Sequence, residues 1–229
     1  MSGPKWRKRD RREIPKLEKS PDSIDNLLDM TEMTARPKLF AINSTSDYFP
    51  WLAMILVVAV SVTVLNIEGR FWWCQAGDYV PWAWDIWSRH NSQHLIDPYS
   101  FTHILHGVLE FWIIGLIFGR LPLAWRLLIA VGIESCWEMA ENSSYVINRY
   151  REATISLDYF GDSIINSISD IFCCATGFVI AYKLGFWRSL ILFIATETIL
   201  IFWIHDSLLI NIVMLIYPID ALKHWQMTR

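Results

Sequence analysis

The chain has 229 residues, 53% of them hydrophobic, with 13 Trp and a mean hydropathy of +0.28. That balance excludes an ordinary soluble domain of this length, and several stretches near twenty residues that are almost free of charge point to a bilayer. A net charge of −3 singles out no partner by electrostatics, and nucleic acid is not expected.

The four cysteines, Cys74, Cys136, Cys173 and Cys174, include no CxxC pair, so neither a disulfide framework nor a zinc ribbon is expected. The three in apolar runs read as small packing residues.

Residues 1–46 open on KWRKRDRREIPKLEK, continue as a polar, acidic stretch and show no apolar periodicity, which predicts a mostly disordered tail. Ten of the 20 Lys and Arg precede residue 39, and the positive-inside rule places such a tail in the cytoplasm. The first apolar run starts near residue 48, too far along for a cleavable signal peptide.

That run, YFPWLAMILVVAVSVTVLNI (48–67), predicts a first membrane helix running outward. Residues 68–99 are rich in Trp and polar groups and predict an extracytoplasmic loop lying on the bilayer surface. FTHILHGVLEFWIIGLIFG (101–119) returns inward, and LAWRLLIAVGIESCWEMAEN (123–142) goes out again. A polar segment, SSYVINRYREATISL, follows. A helix from about Tyr159 to Lys183 then goes in, and SLILFIATETILIFWI (189–204) goes out. NIVMLIYPI is short for a span and reads as a sixth, tilted helix or a re-entrant one.

On this topology the polar residues of the apolar helices gather at one depth. His103 and His106 open the second helix, while Glu134, Glu138, Glu141 and Asn142 close the third. Asp158, Asp162, Asn166 and Asp170 form a four-residue repeat at the start of the fourth, and His205 and Asp206 end the fifth. Residues three or four apart share a helix face, and polar groups in hydrocarbon turn toward a bundle interior or a wet cavity. The four polar faces are therefore expected to meet.

Crowded carboxylates need protonation, a basic partner or a bound cation to offset their desolvation and repulsion. Imidazole and carboxylate ligands from His103, His106, Glu134, Glu138, Asp162 and Asp170 suit zinc, manganese or iron, and an all-oxygen set from the Asp stripe suits magnesium or calcium. Without metal, Glu138 and Asp162 with His106 are candidates for acid–base catalysis. Arg149 and Arg151, with Asp158 and Asn166, are candidates for holding a phosphate or carboxylate of a lipid-like substrate; the plain alternative for the two arginines is ion pairing with Glu152 and Asp158. The remaining reading is a hydrogen-bonded polar core that serves helix packing or docking of a membrane-protein partner. His90, His94 and His224 read as isolated surface or interfacial residues. The Asn43 and Asn142 sequons lie in the tail and at a helix end, where glycosylation is not expected.

NSQHLIDPYSFTHILHG and ESCWEMAENSSYVINRYREATISLDYFGDSIINSISD are closely similar to a family of bacterial membrane proteins, the domain of unknown function 2585, also called uncharacterised protein family 0314. The resemblance runs from about Asn91 to Trp225 and is most specific over NRYREATISLDYFGDSI. It implies a multi-pass inner-membrane protein and supplies no catalytic residues. A more distant similarity to VanZ-like proteins sets His106, Glu138, Arg151, Asp162 and Asn166 in that family's polar positions, and implies glycopeptide resistance or lipid-linked envelope chemistry without naming a reaction.

The expectation is an all-α, integral membrane helical bundle of five or six spans in the bacterial inner membrane, with a cytoplasmic N-terminus and a polar cavity open outside. A cation or an anionic lipid-like ligand is the expected occupant, whether or not the site is enzymatic.

Overall fold

The computed structural model describes residues 45–156 and 158–228. Of the tail assigned to residues 1–46, all but the last two positions lie outside the described residues, as does Asn43. The described residues are helical with no strand; one isolated bridge joins Trp82 to Ile96 within the loop between the first two helices.

A 3-10 turn, Thr45–Tyr48, leads into α1, Phe49–Ile67. Pro50 sits in its first turn, where no intrahelical amide donor is needed. Nineteen residues rise about 28 Å, close to the thickness of a hydrocarbon core. α2 is Ser100–Ile117 and starts where Asp97 Oδ1 accepts from the Tyr99 and Ser100 amides at 2.7 and 3.1 Å. α3, Leu123–Glu141, begins directly after Pro122.

Residues 144–153, expected as part of a polar connection, instead form α4, Ser144–Ala153, whose first turn is capped by the Ser143 hydroxyl. α5 is Ile164–Leu184, capped by Ser163 and closed by Gly185 at φ 74°. α6, Phe186–Ile204, α7, Leu208–Ile216, and α8, Asp220–Gln226, complete the chain.

Four of these helices, α1, α2, α5 and α6, are long and apolar enough to cross a membrane, and the bundle is that of a membrane protein. α3 has equal length but carries Arg126, Glu134 and Glu138, all buried, so its charge is turned inward rather than toward lipid. α7 has nine residues and rises about 14 Å, about half the thickness of a hydrocarbon core.

The expected start of α5 near Tyr159 is also corrected. Gly161 at φ 95° breaks the backbone there, Arg70 reaches across to bond the Phe160 carbonyl, and the helix begins only at Ile164. Asp158 and Asp162 therefore precede the helix, and the four-residue stripe is not a single helical face.

α2 and α5 make the most extensive helix–helix contact, with α3 packed on both. Two glycines allow it. A Cβ on Gly107 would run into the Cys174 carbonyl, and one on Gly177 into the Ile104 carbonyl. Such reciprocal small-residue contacts let backbones approach closely in bilayer bundles, where dispersion rather than water exclusion drives association. On one side of this seam Ile114, Leu127, Val131, Ile171 and Phe178 form an apolar core. Leu105, Val108, Ala181, Phe193 and Leu208 form a second.

Candidate functional site

His103 stands four residues before Gly107 on α2, and so on the face drawn tightly against α5. Its Nδ1 lies 2.5 Å from Glu134 Oε1 and 3.4 Å from Glu138 Oε1, and its Nε2 lies 3.9 Å from Asp170 Oδ2. One turn along, His106 Nδ1 lies 2.9 Å from Glu134 Oε2. Glu134 thus bridges two imidazoles, each donating from Nδ1, while the His106 ring packs edge-on to Trp137. Glu134, Glu138 and Asp170 are all buried.

Hydrogen bonding does not satisfy this cluster. Both carboxylate oxygens of Glu138 and Oδ1 of Asp170 are buried without a hydrogen-bond partner. A buried polar atom left so costs about 1–3 kcal/mol, and more when charged, so a proton or a cation must offset these oxygens. His103, His106 and Glu134 each present a ligand atom within 4.8 Å of the others, as do His103, Glu138 and Glu141. Two imidazoles and a carboxylate are a donor set for zinc, manganese or iron.

Beside the cluster lies a cavity of about 360 Å³. One wall is polar and includes His103, His106, Glu134, Asp162 and Asp170; the other is apolar and includes Leu109, Ile113, Ile133, Leu208, Ile212 and Leu215. Ile113, Ile133 and Ile212 also show on the outer surface of the bundle, so the apolar side reaches that surface. No Lys or Arg is among the residues that line it.

The members of the expected polar stripe separate here. Asp162 is fully engaged: Asn142 Nδ2 and Tyr159 Oη donate to its carboxylate, each at 2.9 Å, and its own amide donates to Asn142 Oδ1 at 2.7 Å. Burial, reinforced by the Glu141 charge, pushes the Asp162 carboxyl up to about 7. Asn166 Nδ2 donates to the His94 carbonyl at 2.8 Å, away from the His103 cluster. Asp170 belongs to the unsatisfied set, and Asp158 is exposed.

Arg149 donates to the Leu215 and Ile216 carbonyls at 2.8 and 3.4 Å, and Arg151 to the Tyr159 carbonyl at 2.5 Å. Arg149 thus ties α4 to the C-terminal end of α7, and Arg151 ties α4 to the segment before α5. Asp206 is buried between Tyr99 Oη, 3.2 Å away, and the Ser207 amide at 2.9 Å; burial raises its carboxyl to about 7. His205 stacks on Trp225 with centroids 5.0 Å apart.

Several residues of the site carry no mark that singles them out in the sequence. Glu110 lines the cavity and accepts from Cys174 Sγ at 3.1 Å; it follows His106 by four, and that spacing is the one signal that could have found it. Tyr99, Tyr150 and Tyr159 also line the cavity, brought in by segments outside the long helices, and tyrosine identity alone gives no such signal. His94, expected at a surface, is fully buried, and His90 stands against it with ring nitrogens 3.2 Å apart.

The family model described as a protein of unknown function (DUF2585) matches residues 65–228, which takes in all of α2 to α8 and the final residues of α1. The chain is 45% identical over 175 residues to the UPF0314 protein of Rhizobium meliloti, covering 76% of this chain and 89% of that one. It is 40% identical over 177 residues to the UPF0314 protein of Paracoccus denitrificans, covering 77% and 92%. With a UPF0314 protein of Rhizobium etli the identity is 39% over 194 residues, covering 85% and 98%. No solved structure matches the chain. All the residues that line the cavity lie inside the matched region, and the chain belongs to the DUF2585 family, also called UPF0314.

Proposed function

We propose that the buried cluster holds a divalent cation of the zinc, manganese or iron type, with His103, His106 and Glu134 as ligands and Glu138 and Asp170 close behind. We further propose that the cavity receives the polar end of a lipid-like molecule at that cation. Glu138 carries this reading: a carboxylate with both oxygens buried and unbonded, turned toward an imidazole, is compensated well by a metal and poorly by the surrounding side chains.

The lining supports the second half. Five of the lining residues are carboxylic acids and none is Lys or Arg, so an anionic headgroup would be repelled unless a cation sat among them. The apolar wall meets the lipid-facing surface and suits a hydrocarbon chain. Bound there, the cation would supply Lewis acidity and a lowered water pKa. Glu138 and Glu141 are the groups placed to exchange a proton beside it. A bacterial inner-membrane location, with the basic tail in the cytoplasm and the cavity opening outside, fits the tail charge.

The Asp162, Asn142 and Tyr159 network supports a second role within the same fold. Each of its members is hydrogen-bonded to another, which is what a packing device requires.

The test is elemental analysis of detergent-purified protein. A His106→Ala variant that retains its fold should lose one equivalent of metal relative to the wild type. An unchanged metal content in that variant, or in His103→Ala, refutes the cation site.

A further inference from the structure

The loop between α1 and α2 holds a second cluster, distinct from the cavity. Four side chains with donor atoms converge in it: Cys74, Asp78, His90 and His94. His90 Nδ1 lies 3.4 Å from Cys74 Sγ, 3.2 Å from His94 Nε2 and 3.2 Å from Asp78 Oδ2, and His94 Nε2 lies 3.5 Å from Asp78 Oδ1. Cys74 and His94 are buried, and the Sγ and imidazole donors of Cys74, His90 and His94 all fall within 4.8 Å of one another.

Hydrogen bonds alone serve this group poorly. His94 Nδ1 faces the Val80 carbonyl, which can only accept, so that nitrogen carries the ring hydrogen and leaves the Nε2 lone pair directed into the cluster. His90 Nδ1 then has three neighbours within reach, the thiol, the His94 lone pair and a carboxylate, and a single N–H cannot bond all three. The arrangement does suit a metal. A ring nitrogen whose partner N–H is held by a backbone carbonyl is the usual setting of a ligating histidine.

The separations agree as well. Zinc bonds of about 2.0–2.1 Å to nitrogen or oxygen and about 2.3 Å to sulfur put tetrahedral ligand atoms roughly 3.3–3.6 Å apart, against 3.4 Å from His90 to Cys74, 3.2 Å between the two imidazoles and 3.2–3.5 Å from Asp78 to the imidazoles. Cys74 and Asp78 are separated by three residues, and so are His90 and His94. Zinc motifs use such spacing, here with Asp in place of a second Cys.

We propose that Cys74, His90 and His94, with Asp78 beside the two imidazoles, form a structural zinc site that clamps the α1–α2 loop onto the head of α5. The clamp closes residues 74–94 into one loop, and the residues just before and at its end dock on α5. Ser163 donates from its amide to the Ser92 carbonyl at 3.0 Å and from its hydroxyl to the Gln93 carbonyl at 3.0 Å. Gln93 Nε2 donates to the Gly161 carbonyl at 2.9 Å, and Asn166 to the His94 carbonyl. Asn91 and Ser92 line the cavity, so zinc here sets one lip of it without touching its contents.

Cobalt distinguishes this site from the cavity, because the His103–His106–Glu134 set has no sulfur ligand. Full-length protein, stripped with chelator and reloaded with Co²⁺, should show a sulfur-to-cobalt charge-transfer band that is retained in His106→Ala and absent in Cys74→Ser. In the wild type, Zn²⁺ should slow alkylation of Cys74, followed by peptide mass spectrometry, at least tenfold, and chelator should restore the rate; this arm needs no variant to fold. A Cys74→Ser protein that keeps the band, or a Cys74 alkylation rate indifferent to Zn²⁺, overturns the proposal and leaves the cavity site untouched.

Discussion

Replacing Gly177 by Ala probes the seam on which the site depends. The added Cβ would lie 2.8 Å from the Ile104 carbonyl carbon and 3.0 Å from Ile104 Cα, and closer still to the oxygen. Carbon atoms at rest sit about 3.5–4.0 Å apart, so α2 and α5 must separate by about 1 Å. Backbone cannot swing aside as a side chain can, and a gap of that size forfeits roughly a quarter to a half of each dispersion contact across it. The expected destabilisation is about 3 kcal/mol, at the upper end of overpacking costs.

Gly132 is the control. It lies within α3, and a Cβ added there would meet nothing within 4 Å, so Gly132→Ala should leave the protein as stable as the wild type or add about 0.5–1 kcal/mol. Thermal unfolding in one detergent, followed by tryptophan fluorescence, compares the two. Because His103 and Asp170 sit on either side of the same seam, the Gly177 variant should also bind less metal. A Gly177→Ala protein as stable as Gly132→Ala would refute the close approach of α2 and α5.

Glu138→Gln removes a charge but keeps shape, so it should leave stability within about 1 kcal/mol while weakening metal affinity at least tenfold, as read by competition with a chelating dye. Asn142→Ala strips bonds from Asp162 and the Glu138 carbonyl and should cost about 2–3 kcal/mol in the same unfolding assay. Asp206 supplies a pH test. Its folded-state value of about 7 stands above the ordinary aspartate value of 3.8, so its contribution to stability is present below pH 3.8 and is lost as pH rises toward 7. The loss amounts to about 4 kcal/mol. Asp206→Asn should flatten that part of the stability–pH profile, and a slope equal to the wild type's would exclude Asp206 as its source.

The long helices are written in the chain itself, because twenty-residue apolar runs admit little else once the backbone must satisfy its own hydrogen bonds in lipid. Phe49–Ile67, Ser100–Ile117, Leu123–Glu141 and Phe186–Ile204 all lie within a few residues of their expected bounds. Spacings of three and four put His103 beside His106 and Glu134 beside Glu138 on shared faces, since helical geometry is local.

Which face meets which is not local, and it emerges only when the helices pack. The reciprocal contacts of Gly107 and Gly177 fix α2 against α5 and bring His103 to Asp170. Gly161 at φ 95° and the reach of Arg70 to Phe160 end the apparent Asp stripe before the helix begins, so Asp162 turns to Asn142 and Tyr159 while Asp170 stays in the cluster. His90 and His94 look isolated along the chain because their partners, Cys74 and Asp78, lie more than ten residues earlier in a loop without periodicity. Only the folding of that loop onto α5 sets the four side chains together.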